Sequence, residues 1–325
     1  MHYLVTGVTG YLGGYVTADL LRLGHDVTAL VPTRADAAEL AARGVWPAIG
    51  SVTDETSLRR AMHGVDGVFH VAGHRIGFHD RRTAETINVD GTRNVLSAAR
   101  WAGVPRVVYT GTLAVCSDTR GVLVDEAYRH TGRHLTDYDR IKARTFHEVV
   151  QREMESGAPV IALLPGAVYG PHDSSRMASV LARYLRGRVW FLNGDTAYCW
   201  AHVEDMARIH VVAMERGTLG ESYIVGGEPR SVRDVLTLAG ALVDRIGAPV
   251  SVPTWMSWVP ATTLGGLSRA LPRLRPIAER TRLATGVTYL GSDEKARREL
   301  GWDPRPLEEG LPETMESLLR EMVEV

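Results

Sequence analysis

Lysine is nearly missing from this chain. Of its 37 basic residues only Lys142 and Lys295 are lysine, and every other one is arginine. Where any cation would serve, this sequence uses arginine, so a lysine marks a task that the wide, planar guanidinium cannot do and a compact ammonium with rotatable donors can. Cysteine is equally sparse. Cys116 and Cys199 make no disulfide framework, and a reducing cytoplasm is the expected compartment for a chain that begins in a strand and not in a signal peptide. His70, His74 and His79 lack both a helical His-Glu-x-x-His spacing and cysteine partners, so no metal site is expected. Charge of one sign is not in excess: 37 basic against 38 acidic residues leave a net −1, which gives no general attraction to nucleic acid or to an anionic membrane. Uninterrupted apolar runs are absent too. The uncharged stretch from Ile246 to Ser268 is broken by Pro249, Pro253 and Pro260, which argues against a membrane span.

Two features stand out against this background. The first is Tyr138-Asp139-Arg140-Ile141-Lys142, where helical i,i+4 spacing would stack a phenol and an ammonium on one face. The second is the apolar run Tyr3 to Thr6, followed by Gly7-Val8-Thr9-Gly10-Tyr11-Leu12-Gly13 and a helical stretch. In a strand–turn–helix unit Gly7 permits a tight turn, Gly10 a close approach to a pyrophosphate, and Gly13 close helix–strand packing. The helix amino terminus then offers unpaired amides to an anion.

Through the first half, apolar strands alternate with helical patterns: Val27 to Val31, a helix from about Arg34, Val45 to Ile49, a helix from about Asp54, then Val68 to Val71. A long helix over about Thr83 to Trp101, the strand beginning at Val107, the helix carrying Tyr138 and the strand Val160 to Leu164 follow. This rhythm predicts an α/β fold, a doubly wound parallel sheet with helices on both faces. Thr6, His70, Thr112 and Pro165 follow strand ends and should converge on one crevice.

These residues resemble the extended short-chain dehydrogenase/reductase family, of the NAD-dependent epimerase/dehydratase type, in a pattern similar to its dihydroflavonol-reductase-like branch. The segment Thr6 to Gly13 is similar to the family's cofactor fingerprint and Tyr138 with Lys142 to its catalytic pair. Val68 to Gly73, Asn88 to Asn94, Val108 to Thr112, Pro165 to Pro171, His202 to Asp205 and Lys295 to Trp302 occur in the family order. The resemblance implies a Rossmann domain over residues 1–165. It assigns residues 166–325 mainly to a smaller substrate lobe, with some segments returning to the first domain. It implies that Thr112 binds the substrate oxygen, Tyr138 transfers the proton, Lys142 favours the phenolate and Asn88 helps organise the site. A Thr112 hydroxyl that caps the end of the fifth strand and an Asn88 that is a buried helical hydrogen-bonder are the plainer alternatives. Cofactor contacts are expected from Thr6, Gly7, Thr9, Gly10, Tyr11, Leu12, Gly13, Val71, Ala72, Tyr138 and Lys142, and from the backbone of Pro165 and Val168, where a proline turn would look alike.

The second strand ends in Val31-Pro32-Thr33-Arg34, without the carboxylate that usually holds both ribose hydroxyls of NAD. Arg34 could pair with a 2′-phosphate, which favours NADP(H) over NAD(H), although Thr33 as a helix cap and Arg34 as a solvated residue fit the same pattern. Ser51-Val52 replaces the acidic residue that commonly holds adenine, leaving Val52 to cover the ring. Relatives acting on nucleotide sugars carry an arginine ahead of the His202 segment and another before Pro165. Here Tyr198 and Trp200 precede His202, and Leu164 precedes Pro165. A diphosphate would be poorly compensated, so a less charged carbonyl compound is expected, with Ile246 to Ser268 as a wall or lid. A nucleotide-sugar epimerase or dehydratase with tightly held NAD is the runner-up, and a non-catalytic dinucleotide-binding regulator the third reading. The long helices near Thr83 to Trp101 and Asp137 to Ser156 are expected to pair in a homodimer, with a monomer as the alternative.

Overall fold

The computed structural model describes residues 1–74, 81–189, 191–193, 195–243, 250–252 and 286–323. Seven strands form one parallel sheet: β1 (His2–Thr6), β2 (Asp26–Val31), β3 (Trp46–Ile49), β4 (Gly67–His70), β5 (Val107–Thr110), β6 (Val160–Pro165) and, after a long excursion, β10 (Ser222–Val225). Their order is β10-β6-β5-β4-β1-β2-β3. The chain winds outward from β1 to β3, then restarts at β4 on the other side. Neighbouring connections therefore diverge between β1 and β4, which opens a crevice at the carboxyl ends of the strands.

Alternation along the strands feeds two cores. In β5, Val107 and Tyr109 join the cluster beneath residues 81–101 and 137–155, while Val108 joins the cluster beneath Tyr11–Arg22, Arg34–Ala42 and Val203–Arg216. Both faces of the sheet are thus covered, which is why these strands read as continuous apolar runs. A second sheet of β7 (Ala167–Tyr169), β9 (Ala197–His202), β11 (Glu228–Ser231) and β13 (Thr288–Tyr289) stands at the carboxyl side, and β8 (Phe191–Asn193) pairs with β12 (Val250–Val252). Apart from residues 250–252, the expected lid lies outside the described residues. Among the described residues no helix is long and apolar enough to cross a membrane.

Two helices differ from the uninterrupted α-helices that their sequences suggest. Residues 86–90 and 146–150 are π-helical turns inside the long helices. At the first, the Asn88 side-chain amide donates to the Ala84 carbonyl at 2.8 Å, the acceptor that its own backbone N–H would take in an α-helix.

Three buried histidines make the fold acid-sensitive. His210 donates through Nδ1 to the Met206 carbonyl at 2.7 Å, leaving Nε2 to accept from the Thr110 hydroxyl at 2.8 Å. Burial pushes the imidazoles of His70, His202 and His210 down from 6.5 to about 3, about 4 and about 4. The unfolded chain binds more protons than the fold between these values, so stability is complete above pH 6.5 and declines as pH falls toward 4. Urea unfolding midpoints should drop over that window, and His210→Gln should reduce the slope by about one proton.

Candidate functional site

The glycine turn is fixed by backbone contact. Gly7 has φ +80°, and a methyl there would lie 2.6 Å from the Ala72 amide nitrogen; one at Gly13 would lie 2.0 Å from the Gly7 carbonyl oxygen. Neither position tolerates a side chain. Gly10 caps the helix Tyr11–Arg22 without a side-chain bond, no acidic residue occupies the first turn, and Thr9 and Gly10 are exposed. The amides at Tyr11 and Leu12 therefore face outward, with a positive helix end behind them and nothing anionic to compete. This cradle fits a dinucleotide pyrophosphate.

Thr6 turns inward. Its hydroxyl hydrogen-bonds His70 Nδ1 at 2.8 Å and accepts from the Ala72 amide at 3.3 Å, and His70 Nε2 reaches Thr92 Oγ1 at 3.0 Å. Thr6 carbonyl oxygen accepts from Val71. This chain locks β1, β4 and the helix Gly91–Trp101 together, so the Thr6 side chain shapes the crevice from below, with Val71 and Ala72 pressed against the glycine turn.

Tyr138 and Lys142 lie on Asp137–Thr145, whose amino end is capped by Thr136 accepting from the Asp139 amide at 3.0 Å. Lys142 is buried at 7% exposure, and desolvation lowers its ammonium from 10.5 to about 8. It remains mainly charged at neutral pH. Lys142 Nζ and Asn88 Oδ1 both approach Gly73, each 3.2 Å from where a methyl would stand. Asn88 donates to the His74 and Ala84 carbonyls, yet its Oδ1 is buried with no partner among the described residues. A buried cation, a buried acceptor and a phenol one helical turn from the cation thus gather at the end of β4.

Thr112 follows β5 and caps the short helix Leu113–Cys116. Its Oγ1 accepts from the Ala114 amide at 3.2 Å as the cap of Leu113–Cys116. Because the oxygen accepts in that bond, its own proton remains available to donate.

At the adenosine end, Thr33 caps Arg34–Ala42 and donates its hydroxyl to Asp36 at 2.6 Å, so it is not free for a phosphate. Arg34 is exposed and makes no ion pair with a described residue. Val52 is buried, with its carbonyl held by Asn94 at 3.1 Å and its side chain against Gly91. Pro165 ends β6, and Val168 in β7 pairs with Ala201. The aromatic surface before His202 is smaller than expected: Trp200 is 1% exposed and donates to the Arg230 carbonyl, leaving Tyr198 as the half-buried ring. Leu164 is core. His202, Glu204 and Glu313 bring donor atoms within 4.8 Å of one another, but Arg305 bonds Glu204 at 2.8 Å, Glu313 at 3.1 Å and Asp205 at 3.0 Å, satisfying the carboxylates without a metal.

Sequence reading missed Gly73, the Thr6–His70–Thr92 chain and Asn94. His70 within an apolar strand was the one available signal, since a histidine there needs partners on both ring nitrogens.

A doubly wound sheet, a glycine-lined helix terminus and a tyrosine–lysine helix define a dinucleotide-dependent enzyme class. Residues 3–226 match the model of the NAD dependent epimerase/dehydratase family, and the chain belongs to that family, with an extended short-chain dehydrogenase/reductase fold. Sterol demethylase protein B of Methylococcus capsulatus is 31% identical over 312 residues, covering 94% of each chain. The 4-hydroxy-2-methyl-3-oxo-4-farnesyl-3,4-dihydroquinoline-1-oxide ketoreductase of Stigmatella aurantiaca is 31% identical over 316 residues, covering 94% of this chain and 92% of its own. The crystal structure of gox2253 superposes with a TM-score of 0.85 at 29% identity over 98% of both chains. The protein is an NAD(P)-dependent oxidoreductase of the extended short-chain type.

The crowding at Gly73 gives a direct check. Gly73→Ala should push Lys142 and Asn88 aside and lower turnover about tenfold, with circular dichroism and melting temperature near those of the parent.

Proposed function

We propose that this enzyme reduces the ketone or aldehyde of a small to medium, largely apolar molecule, using NADP(H). The observation that carries the reading is Lys142, a cation held out of water on the helix that bears Tyr138. Burying a lysine is costly unless its charge is used, and here the charge lies one turn from a phenol. Nearby positive charge favours phenolate and brings a group that titrates near 10 toward neutral pH. Tyr138 would give its proton to the carbonyl oxygen while Thr112 donates a second hydrogen bond to that oxygen. Asn88 Oδ1 would hold an ordered water or the ammonium in place. The bound dinucleotide supplies the hydride, and the fold supplies alignment.

The two relatives named for a sterol and a farnesylated quinoline support an apolar substrate, as do Leu164 and Tyr198 where nucleotide-sugar enzymes place arginines. A nucleotide-sized, cationic second-lobe pocket would favour the epimerase reading instead. Arg34, exposed and without an ion pair to any described residue, supports NADP(H). We read residues 1–165 as the dinucleotide domain and 166–325 as mainly substrate lobe, with Val203–Arg216 and β10 packed into the former. Pairing of the two long helices as a homodimer belongs to the same reading, as does a cytoplasmic location, which the free thiols of Cys116 and Cys199 suit.

Following cofactor absorbance with a panel of carbonyl compounds tests the function; tight cofactor binding without turnover of any ketone or nucleotide sugar would reject it. Tyr138→Phe should abolish turnover and keep most cofactor affinity, and Lys142→Arg should also fail because guanidinium does not fit beside Gly73. kcat/KM should fall as pH rises through about 8, where the unliganded enzyme loses the Lys142 charge. Arg34→Ala should weaken NADPH about tenfold and change NADH less than twofold, measured by fluorescence titration.

A further inference from the structure

We propose that Tyr289 is a positioning residue for Tyr138, fastening the second sheet to the turn of helix that carries the phenol. The inference rests on the reading of Tyr138 as the proton donor. Its basis is a buried hydrogen-bonded knot that the reaction itself does not use. Asp139, the residue after Tyr138, is 2% exposed. Its Oδ1 accepts from the Thr136 hydroxyl at 2.7 Å and its Oδ2 from the Tyr289 hydroxyl at 2.9 Å. Thr136 in turn caps the helix through the Asp139 amide. The first turn of the helix is therefore held at both ends of one carboxylate, once from within and once from β13.

β13 grips the other half of the site as well. Thr288 donates its amide to Asp118 Oδ1 at 3.0 Å, and its carbonyl accepts from the Thr119 amide at 2.8 Å, both in the segment that leaves Thr112. Two adjacent residues thus tie together the segments that present Thr112 and Tyr138. Tyr289 also stacks on Tyr198 of β9, with ring planes 3° apart and centroids at 5.5 Å, and Tyr138 packs against the same cluster with Ala114, Val287 and Leu135. The seating of the second sheet is passed to the phenol through a side chain that is itself 6% exposed and held on two sides.

Removing the Tyr289 hydroxyl leaves the ring stack intact and lets the first helical turn shift. Tyr289→Phe, Asp139→Asn and the double variant are compared for kcat, for KM toward NADPH and for the solvent deuterium isotope effect on kcat. A positioning role lowers kcat about tenfold in each single variant, keeps KM for NADPH within about twofold, raises the isotope effect, and leaves the double variant no slower than the singles. Parent-like kcat and isotope effect in the single variants, or losses that multiply in the double variant, overturn the proposal; so does a fall in melting temperature with kcat per folded molecule unchanged. Asp139→Asn keeps the side chain's size but replaces one of its two acceptors by a donor, so it reports even where Tyr289→Phe folds poorly. If Tyr138→Phe retains turnover, or the parent reduces no carbonyl, the reading of the site fails first; if Tyr138→Phe is dead and Tyr289→Phe is parent-like, only the positioning role fails.

Discussion

A charged amine sealed at the end of a parallel sheet is the constraint on which the site is built. Lys142 has little room: Gly73 must lack a side chain, Asn88 must bend its own helix into a π-turn, and His70 must stay neutral beside it. Each of these is costly alone. Together they make an interior that accepts one small cation and excludes a larger one. The ammonium lies four residues, one helical turn, beyond the Tyr138 phenol.

The other lysine obeys the same rule. Lys295 donates to Glu221 at 2.6 Å and to the Ser222 carbonyl at 2.8 Å, and sits 4.7 Å from the centre of the Tyr223 ring. A compact charge there joins Glu294–Leu300 to β10. In a chain that otherwise uses arginine for its ion pairs, Lys295 stands where three short-range partners surround one nitrogen.

Much of this was legible because it is local. The parallel, helix-covered sheet followed from alternating apolar runs and helix-length connections, and the glycine turn from its place between β1 and a helix. Tyr138 and Lys142 were legible from four-residue spacing. The rest depends on contacts between distant segments. The Thr6 hydroxyl's partners, His70 and through it Thr92, lie 64 and 86 positions later in the chain. Trp200 reads as a binding surface until Arg230, on the neighbouring strand, takes its indole N–H. The π-turns have no composition signal, since they arise from a side chain competing for a backbone carbonyl. Tyr289 carried no motif at all.

The last strand of the large sheet arrives late. β10 completes the edge beside β6 only after the chain has passed through β7 to β9 and the helix Val203–Arg216. During synthesis the β6 edge therefore stays unpaired, and the part of the sheet that Val203–Arg216 covers stays open, until that excursion has left the ribosome. The large sheet is thus completed by a strand that the chain reaches only after building part of the second sheet.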